Sequence, residues 1–569
     1  MVGRSAVRRA ILAVVCGAAA CLPATRPAPV VAGPTIATVP KAICQPSDHV
    51  EPALQGQVPV SARLSGDANT PYNCNLKQIG AFDNRGWISF DTYKNCAYFP
   101  DSSGRGDTGT VVLDVSDPSH PKKTAYLTSP AMMNPHESMK VNDARGLLVG
   151  DHPSSFPLDV WSVGGDCTKP VRQATVPMSV QGHEGFFAPD GRTYYVSPYS
   201  ATVTAIDLTD PTHPKELGTC TEVWCQIHGG SVSEDGMTGY FAQTASPDGL
   251  AIVDLSDFQL RKPNPKMRLI GSLEYPWNAA NQATDPLNYN GHRYLLSYGE
   301  LTSGGPSCGT TYVASGGTVP CPVSPLGTPH CPTQVANGTN FDYPRILDIA
   351  DPKNPQIVAR LQNEVDDPAN CPLVAADNSD EPQELLTLAA LFTYDAHMCS
   401  PDRLHNPTVV ACAQIGSGVR VYDVRDPKNP KELAYYSLGV WPQSPQGTPY
   451  IDTVGARPVI RTDLHQIWFV ATLSGFHVLQ FENNAWPFAD TARCPLGFDY
   501  YQRHYDLGYD ACLAAATSGS SAGSTSASVG GTPNTTASRA PTWAAAAIAV
   551  PVAVLAIVGG RRRRRQRGS

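Results

Sequence analysis

Four histidines recur in one register of this 569-residue sequence. In HESMKVNDARGLLVGD, HEGFFAPDGRTYYVSP and HGGSVSEDGMTGYFAQ an aspartate follows the histidine by seven residues, pairing His136 with Asp143, His183 with Asp190 and His228 with Asp235. A looser copy sets His397 before Asp402. Neutral imidazole is the commonest metal ligand and suits copper and zinc alike. Asp-Gly and Asp-Ala pairs mark hairpin turns, so histidines that open the strands leading to those turns should gather at the opposite end. The expectation is a metal site of His136, His183, His228 and His397 around one mouth of a channel, with copper or zinc as the candidate ion. Two other roles fit the same spacing: hydrogen bonding to a neighbouring repeat, since a repeat protein repeats its structural residues as well, and acid–base work. Glu137 and Glu184 each follow a candidate histidine, placed to orient a ligand or to face solvent. His120 and His213 fall in Asp-Pro turns and read as surface residues, and His292 and His465 fall at hairpin turns and are set aside.

The elements that must position these residues are written as a second repeat. A β-branched strand ends in aspartate, an Asp-Pro turn follows, and a second strand comes after it. The copies are TVVLDVSDPSHPKKTAYL from Thr110, TAIDLTDPTHPKELGTC from Thr204, LAIVDLSD from Leu250, RILDIADPKNPQIVARL from Arg345 and VRVYDVRDPKNPKELAYY from Val419. Degenerate copies start at Pro157 and Phe476, which makes seven. With the closing aspartate as marker, Asp114, Asp159, Asp207 and Asp254 are spaced 45, 48 and 47 residues apart, the length of one four-stranded propeller blade. The longer interval from Asp254 to Asp348 reads as one blade with an inserted loop over about 302–342, and a second insertion covers about 363–395. Alternating apolar residues turn one strand face to the neighbouring blade, while Asp and Pro build the turn. The repeat is therefore scaffold. NLKQIGAF from Asn75 resembles the outer strand MRLIGSL from Met267, so residues 75–81 are expected to complete the last blade and close the ring without an open edge, with Cys74, Cys494 and Cys512 reinforcing the seam.

AIVDLSD, RILDIADP and VYDVRDP resemble the LVIVD repeat of exported, cell-surface prokaryotic β-propellers over about residues 75–484. The resemblance implies a seven-bladed, all-β propeller with four-stranded blades and a surface location, and it implies little about activity. The channel histidines are similar in concept to those of copper-associated propeller oxidases of the selenium-binding-protein type, although the flanking motifs do not match.

Composition agrees with this architecture. Gly and Pro together number 100 of 569 residues (48 and 52), favouring turns over long helices. A net charge of -8 argues against a nucleic-acid partner. Residues 1–33 carry Arg4, Arg8 and Arg9 and then an apolar run, the layout of an export signal. Residues 544–560 are uncharged and precede five arginines, a stop-transfer pattern that would leave the tail cytoplasmic. The expected order is signal peptide 1–33, N-terminal extension 34–74, propeller 75–490, cysteine-containing extension 491–517, Ser/Thr/Gly-rich stalk 518–543, transmembrane helix 544–560 and basic tail 561–569. Fourteen cysteines beyond the signal suit disulfides in an oxidising compartment better than zinc, for which no paired CxxC exists. Arg105-Gly106-Asp107 matches an adhesion tripeptide of low specificity, and no HExxH or phosphate-loop motif occurs in the body. Two functions from different classes follow: a membrane-anchored surface protein binding a protein or small-molecule ligand at the channel mouth, and a copper-dependent oxidoreductase built on the four histidines.

Overall fold

Each Asp-Pro copy closes its strand through its own side chains. Asp114 accepts the backbone N–H of Ser116 at 2.9 Å and Asp117 that of Ser119 at 3.1 Å, and Asp207 and Asp423 repeat the pattern with Thr209 and Arg425. The turn thus satisfies backbone donors that a continuing strand would have used. The computed structural model describes residues 38–485 except 104–107, 199–201, 245–248, 276–278, 303–307, 310, 315–316, 321–330, 333–342, 368–369, 375–376, 378–393 and 442–448.

Seven antiparallel sheets follow one another along the chain. Their innermost strands are Asp91–Tyr93, Lys140–Asn142, Glu184–Phe187, Ile227–Val232, Ala279–Tyr289, Met398–Pro401 and Val459–Arg461, in blades one to seven. The architecture is the expected all-β, seven-bladed propeller. The inserted loop lies within blade five, between His292–Thr302 and Arg345–Asp348, so that interval is one blade. Packing runs between blades: Phe99, Val111 and Leu113 of blade one share a buried cluster with Trp468, Val470 and Val478 of blade seven. Each such fully buried side chain contributes about 1.5–3 kcal/mol, which makes the blade-to-blade contacts the core of the ring.

The ring closes as expected. Leu76–Phe82 pairs antiparallel with Gly475–Phe481 as the outer strand of blade seven, from Leu76 opposite Phe481 to Phe82 opposite Phe476. The similarity of IGAF to IGSL has a steric basis. A Cβ on Gly80 would lie 2.0 Å from the Pro118 carbonyl oxygen, and one on Gly271 2.1 Å from that of Pro352. In both places the outer strand meets the next blade's Asp-Pro turn too closely for a side chain.

Three expectations need correction. Blade six has five strands, because Tyr72–Cys74 of the N-terminal extension pairs with Lys431–Ser437 and so covers an otherwise open sheet edge. Cys74 bonds to Cys44, stapling that extension to itself, while Cys494 and Cys512 lie outside the described residues. Asp159 does not close a strand: it is buried within Pro157–Ser162 and accepts hydrogen bonds from Ser129 and from the N–H groups of Ala131 and Met132. Ser162, opposite Leu147, takes the closing position in that blade. Further disulfides join Cys96 to Cys167, Cys220 to Cys225 and Cys399 to Cys412. Residues 1–33, 105–107, 491–517, 518–543, 544–560 and 561–569 lie outside the described residues, among which no helix is long and apolar enough to cross a membrane.

Candidate metal centre

The segments entering the inner strands bring the four histidines to one end of the channel. In blade two the chain reaches the strand through His136, whose φ of +46° is rare for a residue with a side chain and marks backbone held against its preference. Glu137 then donates its N–H to the His183 carbonyl at 3.3 Å, tying the entries of blades two and three together. His228 stands at a register shift between Ile227 and Gly230, where a bulge redirects a side chain. A Cβ on the adjoining Gly229 would come within 2.1 Å of Glu184 Oε2, so glycine is what lets that carboxylate approach. His397 enters blade six with its N–H on the Ala413 carbonyl at 2.9 Å.

The side chains converge on Glu137. Its Oε2 lies 3.4 Å from His183 Nε2, 3.3 Å from His228 Nε2 and 3.8 Å from His136 Nδ1, and its Oε1 lies 3.1 Å from His397 Nε2. His183 Nε2 and His228 Nε2 are themselves 3.1 Å apart. Glu184 Oε2 accepts from His228 Nδ1 at 2.9 Å, which leaves His228 Nε2 as the lone-pair nitrogen, turned toward the cluster. The Gly455 carbonyl fixes His397 Nδ1 as a donor at 2.6 Å. His136 and His183 side chains are 20% and 19% exposed, whereas His228, His397 and Glu137 are at 1% or below, so within the cluster solvent touches His136 and His183.

Around it lies a buried charged core to which several blades contribute. Asp91, Glu137, Asp151, Glu184 and Asp285 are all buried, against Lys140 and Arg457. Burial pushes Asp91 and Asp285 up to about 6, raises Asp151 well above its ordinary value and lowers the Lys140 amine. Burial also opposes charge on Glu137, but His228, with His183, His397 and His136, overrides it and holds that carboxyl well below the usual range. Glu137 is therefore a buried anion ringed by imidazoles, and its Oε2 accepts no hydrogen bond among the described residues.

His183 Nε2, His228 Nε2 and Glu137 Oε2 form a triangle with edges of 3.1, 3.3 and 3.4 Å. A tetrahedral ion bound at about 2.0–2.1 Å needs donors about 3.3 Å apart. The donors fit a divalent ion of the zinc or copper class, borderline in softness and at home with imidazole and carboxylate. The structure thus brings all four sequence-predicted histidines together, and of the two roles open to Glu137 and Glu184 it excludes the solvent-facing one: both are buried, Glu137 at the centre of the histidines and Glu184 behind His228. The His-Glu dipeptide in both HESM and HEGF was the available signal for these two carboxylates. Lys140, Asp285 and Arg457 carried none, because they belong to no repeated register.

The family model for the LVIVD repeat matches residues 104–128, which hold the first Asp-Pro copy. No curated protein matches the chain. Among solved structures, the chain is similar to the β-propeller domain of Cps50 (Swd1) from Myceliophteria thermophila, at 9% identity over 72% of this chain and 100% of that one, with a TM-score of 0.44. It is also similar to a functionally unknown protein from Desulfotomaculum acetoxidans, at 10% identity over 62% and 86% with a TM-score of 0.39. A protein from Lactobacillus plantarum matches at 13% identity over 60% and 80%, with a TM-score of 0.37. At those values the fold rests on the strand pairing above, and with the repeat match the chain is a seven-bladed β-propeller that carries the LVIVD repeat.

Proposed function

We propose that the chain is a surface-displayed binding protein whose channel mouth holds a divalent transition-metal ion, with the propeller outside the membrane and residues 544–560 as its anchor. The observation that carries the metal reading is the triangle of His183, His228 and Glu137. Two imidazole nitrogens and a carboxylate oxygen held at that spacing repel one another unless a proton or a cation lies among them. Reach from solvent past His136 and His183 supplies an entry path. The surface reading is supported by the Arg-rich apolar start, the uncharged stretch before five arginines and four disulfides among the described residues. Copper-dependent oxidoreduction would use the same donors and add redox turnover, which nothing among the described residues favours over binding.

The test is metal content of the full-length chain purified from an oxidising host, beside a variant with His136, His183, His228 and His397 all changed to Ala. About one zinc or copper per chain in the wild type, and none in a folded variant, is the expected result. Equal metal in both, or none in the wild type after incubation with either ion, would sink the reading.

A further inference from the structure

The four histidines do not play one role. We infer that Glu137 is the anionic ligand of the metal, beside His183 and His228, and that His397 is a positioning residue acting on Glu137 and not a fourth imidazole ligand; this rests on the metal reading above. The two oxygens of the carboxylate divide the cluster. The contacts of His183, His228 and His136 are on Oε2, at 3.4, 3.3 and 3.8 Å, whereas His397 makes its closest approach to Oε1, at 3.1 Å. An ion seated on the triangle therefore meets Glu137 before it meets His397.

Charge points the same way. Imidazoles alone would leave a dication uncompensated in a site whose inner members are at 1% exposure or below. Glu137 supplies a negative charge at donor distance, while Glu184 is already engaged by His228 Nδ1. His397 is built as a support. Its Nδ1 is held by the Gly455 carbonyl, and Gly455 lies two residues before Arg457, whose guanidinium is fixed on Asp285 at 3.0 and 3.1 Å and on the Tyr298 hydroxyl at 2.6 Å. The chain from Asp285 through Arg457 and Gly455 to His397 ends on Glu137 Oε1 and sets the direction in which Oε2 points. His136, one-fifth exposed and on a positive-φ backbone, is left as the donor that closes the outer side.

The experiment uses the full-length chain loaded with Cu²⁺ for electron paramagnetic resonance, which counts coordinated imidazoles, and with Zn²⁺ for affinity. The wild type is expected to show two or three imidazoles. Glu137→Gln should weaken zinc more than about 100-fold, and His397→Gln about 10-fold, with the imidazole count unchanged. Glu137→Asp should recover part of the loss. Four imidazoles in the wild type, or one fewer in His397→Gln, would overturn the assignment while leaving the metal reading intact. A wild type that takes neither ion overturns both. Should Glu137→Gln fail to fold, the wild-type count and the His397→Gln spectrum still decide the matter.

Discussion

Arg457, on the segment entering blade seven, grips both carboxylate oxygens of Asp285 on the inner strand of blade five, at 3.1 and 3.0 Å. Both side chains are buried, and burial still pushes the carboxyl up to about 6 with the guanidinium beside it. Removing one partner of such a pair strands the other, which costs about 3–5 kcal/mol, whereas replacing both with apolar groups costs far less. Arg457→Met should therefore destabilise by about that amount in chemical unfolding, and Arg457→Met with Asp285→Leu should recover most of it. A double variant no more stable than the single one would show that the pair is not where the loss arises.

On the proposed metal reading, Glu184 should matter to metal without touching it. It holds His228 Nδ1 at 2.9 Å, and the loss of an acceptor behind a ligating imidazole lowers metal affinity by about 10–100-fold. Glu184→Gln is expected to lose that much zinc affinity, measured by competition with a chelator, at unchanged stoichiometry. Affinity equal to the wild type would mean that Gly229 and the strand register hold His228 unaided.

The histidines could be read in advance because repetition exposes them: one register, three near-identical copies and a turn that fixes their end of the strand. Gly80 and Gly271 were legible for the same reason, as equivalent positions under the same carbonyl. The role of Glu137 was not, since a neighbour of His136 in sequence is bonded through its backbone to blade three while its carboxylate lies against histidines of blades three, four and six. Arg457 and Asp285 stand 172 residues apart with no shared motif. Asp159 shows the opposite failure, a residue of the right type near the right place whose carboxylate serves buried N–H groups in place of a turn.

The disulfides should differ in value according to the loop each closes. Cys96 and Cys167 are 71 residues apart and link the second strand of blade one to the segment after the third strand of blade two, whereas Cys220 and Cys225 are five apart. Loop-closure entropy puts the first at roughly 4 kcal/mol and the second at roughly 2 kcal/mol. Cys96→Ser with Cys167→Ser should accordingly lower the chemical-unfolding free energy more than Cys220→Ser with Cys225→Ser. The reverse order would mean that native-state contacts, not chain entropy, set the worth of these bonds.

The seam that closes the ring should be acid-sensitive. His477, in the third strand of blade seven, donates from Nδ1 to Gln78 Oε1 of the closing strand at 2.9 Å, and its Nε2 meets Ser474 Oγ at 2.7 Å. Burial lowers this imidazole to about 4, against about 6.5 in an unfolded chain. Above pH 6.5 the ring is neutral in both states and contributes no pH dependence. Below it the unfolded chain takes a proton that the folded one refuses until about pH 4, so stability falls across that window as the pH drops. Between pH 7.5 and 4.5 the wild type should lose roughly 2–3 kcal/mol more than His477→Gln, read as the difference between two chemical-unfolding series. Since the comparison is between slopes, a variant less stable at every pH still decides it, and parallel slopes would mean that the folded protein accommodates the charged ring at the seam.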